Sequence, residues 1–192
     1  TIQPSGAKFF VTGSKKESHF HVVDVENRGL AALDAAPAIV ISEGYATADT
    51  LSQALDAPVV AAFDSGNLSK VAQVLHERYP HKPIVIAGDD DFTQESVNGI
   101  NPCREKAIEA AKLANGVAVF PTFAPDEQVS LKLSDFNDLA NKSTLGIEAV
   151  KRQVGSVIER IIRQNKEQMS QFRTDIAQPD MEGKKQKRAL TQ

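Results

Sequence analysis

Four short apolar runs constrain this chain more than any other feature: 37–42 (PAIVIS), 58–63 (PVVAAF), 83–87 (PIVIA) and 116–120 (GVAVF). Each is continuous rather than alternating and opens on Pro or Gly. A strand with one wet face alternates; a strand covered on both faces does not, so these runs read as strands of a buried parallel sheet. The stretches between them carry helical spacing. Ala48, Leu51 and Leu55 share one face, as do Leu68, Val71 and Leu75, and Ala107, Ile108, Ala111 and Ala114. Asn101-Pro102 supplies an N-cap and a first-turn Pro, and Gly116 reads as the stop. Strand and helix alternate, which predicts an α/β domain with a mainly parallel sheet flanked by helices.

The flanks read differently. Residues 8–12 and 19–25 are β-like and separated by a Gly-Ser-Lys-Lys turn region, so residues 1–36 are expected to be an N-terminal β-hairpin extension on the sheet edge. The core is expected over 37–143. Ile147, Val150, Val154, Val157, Ile158, Ile161 and Ile162 form a helical stripe, predicting a long amphipathic helix over 144–177. Residues 178–192 are polar and basic, with Lys184, Lys185, Lys187 and Arg188, and read as a disordered tail.

In open α/β sheets, ligands bind outside the carboxyl ends of the strands, so the residues just past each run are informative. The first run leads into Glu43-Gly44-Tyr45 and the second into Asp64-Ser65-Gly66-Asn67. The third leads into Gly88-Asp89-Asp90-Asp91, and the loop after the fourth reaches Ser134-Asp135-Phe136-Asn137-Asp138. Parallel strands would gather these carboxylates on one rim. Like charges so placed are costly unless a cation neutralises them. Oxygen donors without a Cys/His set favour magnesium or manganese over zinc. Asp89 and Asp91 are the best-placed pair, whereas Asp90 reads as facing solvent. Asp64 makes an equally good turn and helix cap, and capping explains Asn67 as well. Asp135 and Asp138 also suit an N-cap and a first-turn acid.

The order of these parts resembles the Toprim fold of bacterial primases, topoisomerases and OLD-type nucleases. The wording Glu-Gly-Tyr-Ala-Thr-Ala (43–48), Phe-Asp-Ser-Gly-Asn-Leu (63–68), Gly-Asp-Asp-Asp (88–91) and Asp-Phe-Asn-Asp-Leu (135–139) is closest to Toprim primases of conjugative plasmids and satellite phages. That resemblance implies catalytic roles for Glu43, Asp89 and Asp91, with Glu43 a metal ligand or general acid/base. It implies magnesium (or manganese) at Asp89 and Asp91, with Asp135 and Asp138 joining a second ion. The activity implied is nucleotidyl transfer: short RNA primers made from nucleoside triphosphates on single-stranded DNA during plasmid or phage replication or conjugation. The alternatives are a metal-dependent nuclease using the same acids and a non-catalytic nucleic-acid or partner-binding module. Asp64, Asn67, Lys15, Lys16, Arg104 and Lys106 are the candidates for touching nucleotide or nucleic acid.

Several readings are set aside. His19 and His21 share a strand face, but two ligands without a third do not make a metal site. Cys103, the one cysteine, sits near a helix start, where a thiol pKa can fall, yet no base accompanies it. Tyr45 belongs to the turn after Glu43. A receiver-type phosphorylation domain would need an acid pair after the first strand and a Lys after the last. Aromatics are 6% of the chain with no Trp, so no base-stacking platform stands out. A net charge of −3 argues against a stand-alone duplex binder.

No run is apolar enough to span a bilayer and no signal peptide is evident, so a cytoplasmic protein is expected. The chain begins at Thr1, and it lacks a zinc module and a phosphate-binding Gly-x-x-x-x-Gly-Lys loop. The expected partners are therefore the other domains of a larger primase, helicase or relaxase polypeptide.

Overall fold

The computed structural model describes residues 13, 15–92, 95–96 and 99–177, with side chains to residue 171. The expected first hairpin strand over 8–12 and the basic tail lie outside the described residues. In chain order the elements are β1 (His21–Val23), α1 (Leu30–Ala35), β2 (Ile39–Ser42), α2 (Tyr45–Leu55), β3 (Val59–Ala61), α3 (Ser65–Arg78) and β4 (Ile84–Ala87). Then come α4 (Pro102–Leu113), β5 (Val117–Val119), α5 (Glu127–Leu131), α6 (Phe136–Asn141) and α7 (Gly146–Ala177).

The five strands form one sheet in the order β1-β3-β2-β4-β5. The four apolar runs supply its parallel part, and β1 adds an antiparallel edge beside β3. Continuous apolar strands follow from cover on both faces. Ile39, Ile41, Val60, Ile84 and Ile86 face one core with α1, α3 and α4. Val40, Val59, Val85 and Ala87 face the other, with α2, α6 and α7. Neighbouring residues thus point to opposite faces and both faces are dry.

Three local features differ from the expectation drawn from sequence, each for a physical reason. The run 19–25 yields only a three-residue strand, because Asp24 turns the chain: its carboxylate takes the Arg28 backbone N–H at 3.0 Å and its guanidinium at 3.0 and 3.1 Å. Helix α1 carries no recognisable cap signal; its N-cap is Gly29. It is held from outside, since Lys82 Nζ donates to the carbonyls of Leu33, Asp34 and Ala36 at 2.6–2.8 Å, while Leu33 is fully buried. Helix α4 ends at Leu113 with Ala114 as its C-cap, and Asn115 just beyond, rather than Gly116, takes the left-handed conformation (φ 49°). Gly116 is needed for a different reason: a Cβ there would lie 2.4 Å from the Ile84 carbonyl oxygen.

Helix α7 packs its first half on the sheet. Ala149, Val150, Val154 and Ile161 are buried, whereas Ile147 stays 40% exposed. Among the described residues, no helix is long and apolar enough to cross a membrane.

Candidate active site

The strand order sets the location. After β2 the chain turns to β3 on one side; after β4 it turns to β5 on the other. β2 and β4 pair in parallel, with Ser42 opposite Ala87, so their carboxyl ends flank the point where the winding reverses. Ligands of doubly wound sheets bind in that crevice. Glu43 follows β2 directly, and Asp89 follows β4 after Gly88. Adjacent strands lie about 4.8 Å apart, so chain elements some forty residues apart are neighbours here. Gly88 is forced by packing: a Cβ on it would fall 2.6 Å from both the Ala107 Cβ and the Phe120 ring.

Cys103, in the first turn of α4, reports the electrostatics of this rim. Its thiol pKa is pushed up to about 11, first by burial and then by the negative charges of Glu43, Asp89 and Asp91, with Lys106 opposing. A pKa lowered by the helix start is therefore overruled. Each of the three acids therefore lies within electrostatic reach of the thiol. They are partly buried.

Asp90 corrects the expectation that it faces solvent. Its side chain is 16% exposed. Asp90 Oδ1 accepts from Asn101 Nδ2 at 2.8 Å and lies 3.2 Å from Arg104 Nη1. Its backbone N–H donates to the Ser134 carbonyl at 2.7 Å, and its carbonyl accepts from Gln128 Nε2 at 3.1 Å. Asp90 is the brace of the acidic loop. Arg104 is engaged in that brace and stacks over Phe120, 4.2 Å from the ring centroid.

Asp135 and Asp138 both cap backbone N–H groups of this turn. Asp135 is the N-cap of α6 and accepts from the Asp138 N–H at 2.7 Å; Asp138 Oδ2 accepts from the Ser134 N–H at 3.0 Å. Asp138 Oδ1 pairs with Lys142 at 2.7 Å, so both its oxygens are occupied. Asp135 differs. Burial raises its pKa above the usual aspartate value, and the Asp138 charge adds to this against the opposing Asp138 N–H and Thr47 hydroxyl.

The remaining candidates sit around α3. Asn67 neither caps nor faces outward: Oδ1 accepts from Ser18 N–H at 2.8 Å, and Nδ2 donates to the carbonyls of His19 and Ala62 at 2.9 Å. It ties the segment ahead of β1 to the end of β3. Lys16 pairs with Asp64 at 2.8 Å, Lys70 pairs with Glu17, and Lys106 Nζ lies 3.1 Å from the Ser65 hydroxyl. Lys15 is exposed. The segment over residues 15–20 is thereby held along the carboxyl rim.

Among the described residues, no three of His, Cys, Asp and Glu stand close enough to hold a metal ion by themselves. Magnesium does not require three; it commonly takes one or two carboxylates, keeping waters and substrate oxygens for its other positions. The all-oxygen donor set at Glu43, Asp89 and Asp91 fits an ion of that kind. Asp138, already saturated, fits less well.

Sequence reasoning missed Thr47, Asn101 and Gln128. Asn101 was visible only as a cap, and nothing local announces that a Gln 38 residues away will brace Asp90.

A doubly wound sheet with a lone Glu after one central strand and an acidic run after its parallel neighbour defines a class. Residues 38–144 match the Toprim domain model, and the chain belongs to that family. Two Escherichia coli proteins called DNA primase TraC are similar to it. One is 42% identical over 218 residues, covering 84% of this chain and 15% of its own length. The other is 39% identical over 251 residues, covering 99% of this chain and 23% of its own length. The chain thus spans less than a quarter of the length of these relatives. No solved structure matches it.

Proposed function

We propose that this chain is the catalytic Toprim domain of a primase, joining nucleoside triphosphates into short RNA primers on single-stranded DNA. The observation that carries the proposal is the placement of Glu43, Asp89 and Asp91 after adjoining strand ends at the reversal point, each within electrostatic reach of Cys103. The similarity to DNA primases supports the reaction class.

In this reading Asp89 and Asp91 hold magnesium, or manganese, and the ion supplies charge neutralisation for the triphosphate and a more acidic primer hydroxyl. Asp90 holds the loop so that its two neighbours face the crevice. Glu43 lies across from them and takes or returns a proton at the primer 3′-oxygen. Asp135, raised in pKa by burial, is the candidate for a further metal contact; Asp138 serves it by fixing the turn. The remainder of a longer polypeptide would deliver the template.

The test is primer synthesis by the purified chain on a single-stranded template with nucleoside triphosphates and magnesium. Products should appear with the wild type and fall at least about a hundredfold in Asp89→Asn and Asp91→Asn, the loss expected when several kcal/mol of charge stabilisation is removed. Priming retained by both variants sinks the metal assignment. Cleavage of the template without nucleotides would instead establish the nuclease reading.

A further inference from the structure

The strand arrangement gathers aromatic side chains that the composition gave no reason to expect together. β1 runs antiparallel, so its first residue lies at the carboxyl ends of its neighbours: His21 pairs with Ala61, and Ala61 with Ser42. His21 is exposed, and its ring lies 5.7 Å from that of Tyr45, which opens α2 two residues after Glu43. Tyr45 is 52% exposed. On the strand between them, Phe63 follows β3 and is 39% exposed.

Phe63 also adopts φ 73°. A bulky side chain in that region is strained, and strain of this kind persists where the surroundings fix it, often at sites of function. The usual residue there would be Gly. Instead a large aromatic is held open to solvent, against the hydrophobic drive to bury it. The adjoining segment brings Lys15, which is exposed, and Lys16, which pairs with Asp64, while Lys106 of α4 reaches the Ser65 hydroxyl at the start of α3. Asn67 fixes that segment to the rim.

Aromatic faces in sequence along a rim, beside cations, are what binders of unpaired nucleic acid use: each base stacks on a ring while the backbone follows the positive charge. We infer that His21, Tyr45 and Phe63 form a stacking platform for successive bases of single-stranded DNA, leading the strand to Glu43. The inference deepens the primase reading and rests on it for the identity of the strand. Several rings spread over three strand ends suit a run of bases; a free nucleotide would need one. Asn67, in this arrangement, positions the track without touching DNA.

The chain carries its own probe. It has two tyrosines and no tryptophan, and Tyr79 is 9% exposed with its hydroxyl on Asp34 at 2.6 Å. Tyr45 is thus the tyrosine open to a base. Titrating the full 192-residue chain with oligothymidylate, corrected for absorption, should quench tyrosine emission. Anisotropy of a labelled oligothymidylate gives Kd in parallel. Tyr45→Phe should remove the quench and keep Kd. Tyr45→Ala, and Phe63→Gly, which accepts the positive φ without strain, should each weaken binding about fivefold to a hundredfold, the worth of one stacked base. The dependence of Kd on salt should keep its slope in Tyr45→Ala and flatten in Lys15→Ala.

Wild-type Kd in both Tyr45→Ala and Phe63→Gly, with folding confirmed by circular dichroism, overturns the platform. So does equal quenching by a free nucleoside triphosphate, which would assign the rings to a nucleotide. A chain that shows the quench and the variant losses but makes no primers supports the platform and sinks primer synthesis alone.

Discussion

The carboxylate of Asp90 accepts a hydrogen bond from the side chain of Asn101 at 2.8 Å, joining the loop after β4 to the N-cap of α4. Asn101 serves twice, since its Oδ1 also accepts from the Arg104 N–H at 3.2 Å. One buried amide therefore caps a helix and steadies the loop that presents Asp89 and Asp91.

Neighbouring aspartates should consequently behave differently on mutation. Asp90→Ala strands Asn101 and Arg104, and should lower stability by about 1–3 kcal/mol. Asp89→Asn should leave the melting temperature near that of the wild type while abolishing priming. Thermal melts beside primer assays separate the two; equal destabilisation by both variants would contradict the division of roles.

Cys103 gives a pH-dependent readout of the site. With its pKa at about 11 rather than 9.0, it is almost wholly protonated at pH 8, and alkylation there should be slow. Removing a nearby negative charge makes the thiolate easier to form, so Asp89→Asn should speed alkylation, and magnesium should do the same to the wild type. Because the chain has one Cys, mass spectrometry reads the rate directly. A rate indifferent to both changes would mean the acids do not converge on it.

Burial disfavours the charged form of Asp135. Its folded pKa is raised above the unfolded value, so the stability linked to it is complete below the unfolded pKa and is lost as pH rises through the folded pKa. Asn also caps helices, so Asp135→Asn should raise the melting temperature near neutrality, with the gain vanishing in acid. A melt series over pH checks the direction. Lower primer synthesis in the same variant would mark an acid retained for chemistry.

Two glycines give opposite results. Gly155 lies within α7, and a Cβ added to it would meet nothing within 4 Å, so Gly155→Ala should stabilise by about 0.5–1 kcal/mol. Gly88→Ala meets Ala107 and Phe120 at 2.6 Å and should cost about 1–3 kcal/mol while displacing the acidic loop. Denaturant melts and priming rates distinguish them.

How far the sequence disclosed this depends on the range of the interaction. The parallel strands were legible because dryness on both faces leaves a continuous apolar run, as in 84–87. The placement of Glu43 and Asp89 after such runs was legible for the same reason. Helix α1 was not, since Lys82 holds it from 46–49 residues away. Nor were the duties of Asp90 and Asn67, whose partners come from other segments. Nothing in the composition signals that His21 comes to the same sheet rim as Tyr45 and Phe63; that follows only from β1 entering the sheet antiparallel beside β3.

The pairing of β2 with β4 has a consequence during synthesis. Glu43 emerges from the ribosome well before Asp89, with the whole β3–α3 crossover between them. A nascent chain that ends before β4 carries Glu43 but neither Asp89 nor Asp91, so it has no crevice. The site needs β4 beside β2, so the moment at which Cys103 becomes resistant to alkylation times the docking of α4 next to the assembled acids.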